Sequence, residues 1–231
     1  MRLLIDVGNT ALKAAIWQGG QIKQCELSAL PWSQINDVVY ASVGKSEQLN
    51  ELLTQARSLQ VPCFEAKVTK QLSNLRCAYQ QFNNLGIDRW LGLIAAFKLW
   101  PQQDCIVIDT GTATTIDVLT AQGQHLGGWI LPGLELMTRS LTQNTQRVFD
   151  DANTVFANEL GVNTPNGLKN GALVATLGAV EQAKLHLSNK NPQLIFAGGY
   201  GALLKAQFLG ATYEPQLVMK GLNYWYELSE K

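Results

Sequence analysis

A chain of 231 residues holds one large domain or two modest ones, and at that size a core forms without disulfide staples. Hydrophobic residues make up 46% and charged residues 16%, a balance that excludes a disordered chain. Lys plus Arg equals Asp plus Glu at 18 each, so no overall field draws the protein to nucleic acid or an anionic membrane, and a small-molecule partner is the default expectation.

The opening residues, MRLLIDVGNT, lack the long apolar stretch of a signal peptide, and no apolar run approaches the roughly 20 residues of a membrane span. The four cysteines, Cys25, Cys63, Cys77 and Cys105, are spaced too widely for a CxxC or zinc motif, and only His125 and His186 could assist them. Reduced thiols in a cytoplasmic protein are therefore expected.

In chain order, residues 3–17 (LLIDVGNTALKAAIW) give an apolar run, an acid at its end, a glycine turn and a second apolar run that closes at Gly19-Gly20. The spacing predicts a strand, a tight turn, a returning strand and another turn. Between 46 and 60, Leu49, Leu52, Leu53, Ala56 and Leu59 recur on one helical face. A second helix is predicted over 88–100, ended by Pro101. Residues 106–119 (IVIDTGTATTIDVL) then repeat the opening pattern. Ile5-Asp6 falls on Ile108-Asp109 and Gly8 on Gly111, an offset of 103 residues, with Gly123 and Gly127-Gly128 as the closing turns. A long helix over 167–187, a buried strand over 193–199 (QLIFAGG) and a helix over 202–208 complete the pattern. Two α/β domains are expected, 1–102 and 103–231, with ligand in the cleft between them.

The chemistry concentrates at the turns. In DVGNTALK (6–13) Gly8 lets backbone approach a ligand, consecutive amides can form an anion nest, Asn9 and Thr10 add donors, Lys13 can reach a phosphate and Asp6 can hold Mg²⁺. An ordinary hairpin with Asp6 in local hydrogen bonds has the same local pattern. The second copy, DTGTATTID (109–117), adds Asp109 and Thr112 as ligand candidates, whereas Asp117, inside the returning strand, reads as structural. Two matched acid-and-glycine turns suit a polyphosphate with its cation. The glycines of GGY (198–200) permit close packing of a flat adenine, or simply a tight strand-to-helix connection. Asp88 and Arg89 open the 88–100 helix, where a carboxylate is stabilised whether it caps or reacts.

Together these segments resemble the actin, sugar kinase and chaperone ATPase superfamily, and within it the type III pantothenate kinases. DVGNTALK, GIDRW (86–90), DTGTATTID and GGWILPG (127–133) follow that family's motifs in order. The resemblance implies two duplicated ribonuclease H-like domains of the actin-like ATPase fold. It implies phosphorylation of pantothenate by ATP, with Mg²⁺ and a monovalent cation, K⁺ or NH₄⁺. By position, Asp88 would be the catalytic base; Tyr79, Gly86, Ile87, Asp88, Arg89 and Thr164 would line the pantothenate site. Asp6, Val7, Gly8, Asn9, Thr10, Ala11, Leu12, Lys13 and Thr112 would bind ATP, and Asp109 the monovalent cation. A homodimer is implied, with Trp90 taken as an exposed aromatic suited to its interface. Other readings of the same fold are a sugar or N-acetylhexosamine kinase, which GIDRW disfavours, and a non-catalytic regulator akin to the Bvg accessory factors. The latter has no reason to keep both Asp88 and Asp109. A chaperone ATPase would need a peptide-binding domain that this length cannot supply.

Overall fold

The computed structural model describes residues 1–8 and 11–229. Strand β1 (Arg2–Val7) is the centre of the first sheet because Leu3, Leu4 and Ile5 are apolar on both faces, and all three are fully buried. It pairs antiparallel with β2 (Leu12–Gln18), which turns at Gly19-Gly20 into the polar edge strand β3 (Gln21–Gln24). Parallel to β1 on its other side run β4 (Asp37–Ser42) and β5 (Cys63–Glu65), giving the order β3-β2-β1-β4-β5. Between them lies α1 (Glu47–Ser58), whose N-cap Ser46 accepts the Leu49 amide and whose stripe of Leu49, Leu52, Leu53 and Ala56 is buried. A short hairpin, β6 (Gln71–Leu72) and β7 (Leu75–Arg76), leads to α2 (Ile87–Leu99).

The second unit repeats this plan. β8 (Cys105–Thr110) pairs antiparallel with β9 (Ala113–Leu119), which continues into β10 (His125–Pro132). Helices α3 (Leu134–Asn144) and α4 (Thr164–Lys184) follow, then β11 (Gln193–Ala197), α5 (Gly201–Lys205) and β12 (Thr212–Tyr213). The order β10-β9-β8-β11-β12 matches the first sheet strand for strand. A core of Ile106, Ile108, Ile116, Leu173, Leu177 and Phe196 fills the unit.

Several sequence expectations shift. The chain forms two compact units, but the second ends at Pro215, and helix α6 (Leu217–Ser229) packs with the first unit, Met1–Pro101, instead of belonging to 103–231. Leu217, Met219, Gly221 and Leu222 are buried there. The helix expected at 167 begins at Thr164, because Asn163 caps it and Pro165 fits its first turn. The helix expected over 202–208 ends at Lys205. Gly127-Gly128 lie within β10 at a register shift rather than in a turn, and α3 has no counterpart in the sequence reading. Trp90 is fully buried in the α2 core and is not an exposed interface aromatic. The four cysteines are free thiols; burial pushes that of Cys105 up to about 12.

Candidate active site

The turn between β1 and β2 closes when the Gly8 amide donates to the Ala11 carbonyl at 3.1 Å, so that amide serves the hairpin itself. Asp6, one residue before the end of β1, stands directly opposite Lys13 on β2. Cross-strand partners project to one face, so the acid and the exposed amine share it. Val7 points into the core and its carbonyl accepts from Val43 at 3.1 Å; Leu12 packs at the edge of the same core. Their side chains hold the turn rather than face a ligand. Asn9 and Thr10 lie outside the described residues.

The GIDRW segment forms the N-terminus of α2. Gly86 is the N-cap, so Asp88 is in the first turn and is not the cap residue. Its Oδ1 accepts the Arg89 amide at 2.8 Å. A Cβ on Gly86 would sit 2.5 Å from that Oδ1, so glycine here is what leaves the carboxylate its place. The Arg89 side chain is buried to 6% exposure, and its Nη1 donates to the Tyr79 hydroxyl at 3.0 Å. Lys70 pins the segment that carries Tyr79, donating to the carbonyls of Cys77 (3.2 Å) and Tyr79 (3.0 Å). The structure thus brings Tyr79, Gly86, Ile87, Asp88 and Arg89 together within the first unit. Lys70 was missed by sequence reasoning; its sequence position, one residue before the β6–β7 hairpin, was the available signal.

In the second unit the Gly111 amide donates to Ala113 (2.9 Å), closing the turn that exposes Thr112. Gly133, the N-cap of α3, donates to the Thr112 carbonyl at 2.9 Å, and a Cβ on it would lie 2.1 Å from the Gly111 oxygen. The last glycine of GGWILPG therefore seats the Gly111–Thr112 turn. Gly198 has a φ of +79°, and its missing Cβ would meet the Thr110 carbonyl oxygen at 2.4 Å and Asp109 Oδ1 at 2.5 Å. Glycine is what allows this close approach to the end of β8, where the Thr110 carbonyl also accepts the Tyr200 amide at 3.3 Å. The next turn is tied to α3 because the Tyr200 hydroxyl donates to Glu135 Oε1. Burial, then that hydrogen bond, then the carboxylate charge raise the Tyr200 phenol from its ordinary 10.0 to about 12. Asp117 is buried against His125 Nε2 at 2.9 Å, the structural role expected of it. Thr164 is exposed at the first turn of α4, which Gly161 locks: a Cβ there would lie 2.2 Å from the Gly167 nitrogen. Among the described residues no group of three or more His, Cys, Asp or Glu could hold a metal ion.

With this geometry in hand, the type III pantothenate kinase family profile matches residues 2–185. The type III pantothenate kinase of Pseudoalteromonas translucida is 68% identical over 230 residues, covering 100% of this chain and 98% of that one. The chain belongs to the type III pantothenate kinase family. Among solved structures, a protein from Campylobacter jejuni described as a Baf family transcriptional activator matches at 23% identity and a TM-score of 0.62, covering 99% and 98% of the two chains. The ROK hexokinase of Thermus thermophilus matches at 10% identity and a TM-score of 0.53, with 99% of each chain covered. At those identities the structures speak for the fold, which is that of the actin-like ATPases and sugar kinases.

Proposed function

We propose that the chain transfers the γ-phosphoryl group of ATP to the primary hydroxyl of pantothenate, giving 4′-phosphopantothenate and ADP, the first step towards coenzyme A. The observation that carries this reading is the Asp88–Arg89–Tyr79 cluster at the N-terminus of α2. Phosphoryl transfer has a loose transition state, so positioning and charge neutralisation matter more than a strong base. Asp88 takes the hydroxyl proton as the oxygen attacks phosphorus and the bond to ADP breaks. Tyr79, Gly86, Ile87 and Arg89 line the pantothenate site, and Thr164 adds a contact from α4. Asp6, Lys13 and the backbone of the turn between them, together with Thr112, bind ATP, with Val7 and Leu12 packing beneath the turn.

Mg²⁺ neutralises phosphate charge when bound, and it needs only one or two carboxylates beside the phosphates themselves, which Asp6 can supply. Asp109, near the end of β8, would hold K⁺ or NH₄⁺. A homodimer belongs to the same proposal. Its support passes from Trp90 to the run of Phe149, Val155, Leu160 and Val162, which are 59–96% exposed ahead of Thr164. Light scattering at micromolar concentration tests it, and a fully active monomer would contradict it. No described helix is long and apolar enough to cross a membrane, and a cytoplasmic site of action is proposed with the rest. The test of function is a coupled ADP-release assay comparing pantothenate with glucose and N-acetylmannosamine, run in K⁺ and again in Na⁺. Selective turnover of pantothenate that needs K⁺ is expected; turnover of a hexose instead would replace the reading by a sugar kinase.

A further inference from the structure

Helix α6 lies outside the residues that the family profile matches, yet it packs on the helix that carries Asp88 and Arg89. At the crossing Gly221 lies against the backbone of α2. A Cβ built there would lie 2.0 Å from the Leu91 carbonyl oxygen, 2.5 Å from its carbonyl carbon and 3.0 Å from its Cα, all of them α2 backbone. A glycine inside a helix costs stability relative to alanine, so the close approach is what it serves. Gly171 and Gly178 of α4, by contrast, have nothing within 4 Å of an added Cβ.

Neither helix has room to yield. Around the crossing Trp90, Leu91, Leu93 and Ile94 are fully buried. Helix α6 is tied from the other side. Arg2 Nη1 donates to Asn223 at 2.7 Å, its guanidinium lies 3.9 Å over the Tyr226 ring, and Trp225 Nε1 donates to the Lys67 carbonyl at 3.1 Å. A methyl group at 221 must therefore push α2 by roughly 1 Å, since packed interiors do not absorb such an overlap. Leu91 is one helical turn from Asp88, about 4.5 Å along the axis, so the push reaches the residues at the helix start.

We propose that Gly221 is a positioning residue that sets α2, and through it Asp88 and Arg89, against the acceptor substrate. This rests on the pantothenate-site reading of that cluster. The test compares Gly221→Ala with Gly178→Ala, measuring kcat and KM for both substrates together with Tm. Gly221→Ala should lose about 10- to 100-fold in kcat/KM for pantothenate, the scale of a 1 Å misplacement, while KM for ATP stays within about 2-fold. Gly178→Ala should match wild type. A merely structural role would lower Tm and leave the kinetics of the folded enzyme alone. Unchanged pantothenate kinetics, or an equal loss for ATP, would overturn the proposal. If Gly221→Ala does not fold, Arg2→Met loosens α6 from β1 instead and should show the same selectivity at smaller amplitude; wild-type kinetics there would likewise overturn it. Asp88→Asn, assayed alongside, separates the two readings. If that variant keeps its kcat, the base assignment fails while a selective loss in Gly221→Ala still stands.

Discussion

Replacing Asp88 by Asn keeps the size of the side chain and removes only its charge and proton-accepting power. The geometry limits what else can change. Asp88 occupies the first turn of α2, with Gly86 as the N-cap, and its Oδ1 accepts the Arg89 amide at 2.8 Å. An asparagine Oδ1 accepts the same bond, so the structural loss is the interaction of one negative charge with the helix N-terminus, about 0.3–1 kcal/mol. For a protein of this size that lowers Tm by about 1–4 °C. Loss of general-base assistance costs about 10²–10⁴ in kcat. Pantothenate affinity should stay within a few-fold, because Tyr79 and Arg89 keep their mutual 3.0 Å hydrogen bond. Steady-state kinetics by coupled ADP release, with calorimetric pantothenate binding and a melting curve, measure all three quantities. A kcat within about 3-fold of wild type, at the expected small fall in Tm, would remove Asp88 from proton transfer.

Asp109→Asn should weaken activation by K⁺ more than it weakens pantothenate binding, because Asp109 carries the carboxylate proposed to hold the cation, next to the Thr112 turn; an unaltered K⁺ titration would refute the cation assignment. His125→Ala removes the 2.9 Å hydrogen bond to the buried Asp117 carboxylate and leaves a cavity, and should cost about 1–3 kcal/mol, seen as a lower Tm with kinetics of the folded enzyme unchanged. A Tm within about 1 °C of wild type would contradict the structural role. Tyr200→Phe removes the hydrogen bond to Glu135. The phenol is raised in the folded state from 10.0 to about 12, so its contribution is complete below pH 10 and fades as pH climbs towards 12. The difference in stability between wild type and variant should therefore be constant through neutral pH and shrink above pH 10; a difference that grows there would reverse the sign of the argument.

The duplication was legible because its signal is local and periodic. The runs before Asp6 and Asp109 are apolar at consecutive positions, and both became central strands with identical neighbours. Helix α1 was equally readable from its stripe, except that Leu59, counted with it, is the exposed C-cap. Helix α6 was not assigned to its unit, since nothing in a stretch rich in Leu, Tyr and Trp says which core it will join. Trp90 misled for a related reason: α2 is apolar nearly all round, so periodicity cannot tell an exposed face from a buried one. At the site, Asp88 and Arg89 were visible as a motif, but the link from Arg89 to Tyr79 and the seat that Gly133 makes for the Thr112 turn depend on tertiary approach. Val7 and Leu12 were read as ligand contacts from their place in the motif, whereas alternation along β1 and β2 turns their side chains to the core.

The most direct test of the whole account is the product itself. Incubating the purified protein with ATP, Mg²⁺, K⁺ and pantothenate, and following the mixture by phosphorus NMR and mass spectrometry, reads the phosphorylated position without a coupling enzyme. A new phosphate monoester on the primary hydroxyl of pantothenate, formed in step with ADP and lost when Asp88 is replaced by Asn, is the expected result. ADP formed with no phosphorylated pantothenate, or no turnover of either substrate by the wild-type protein, would contradict it.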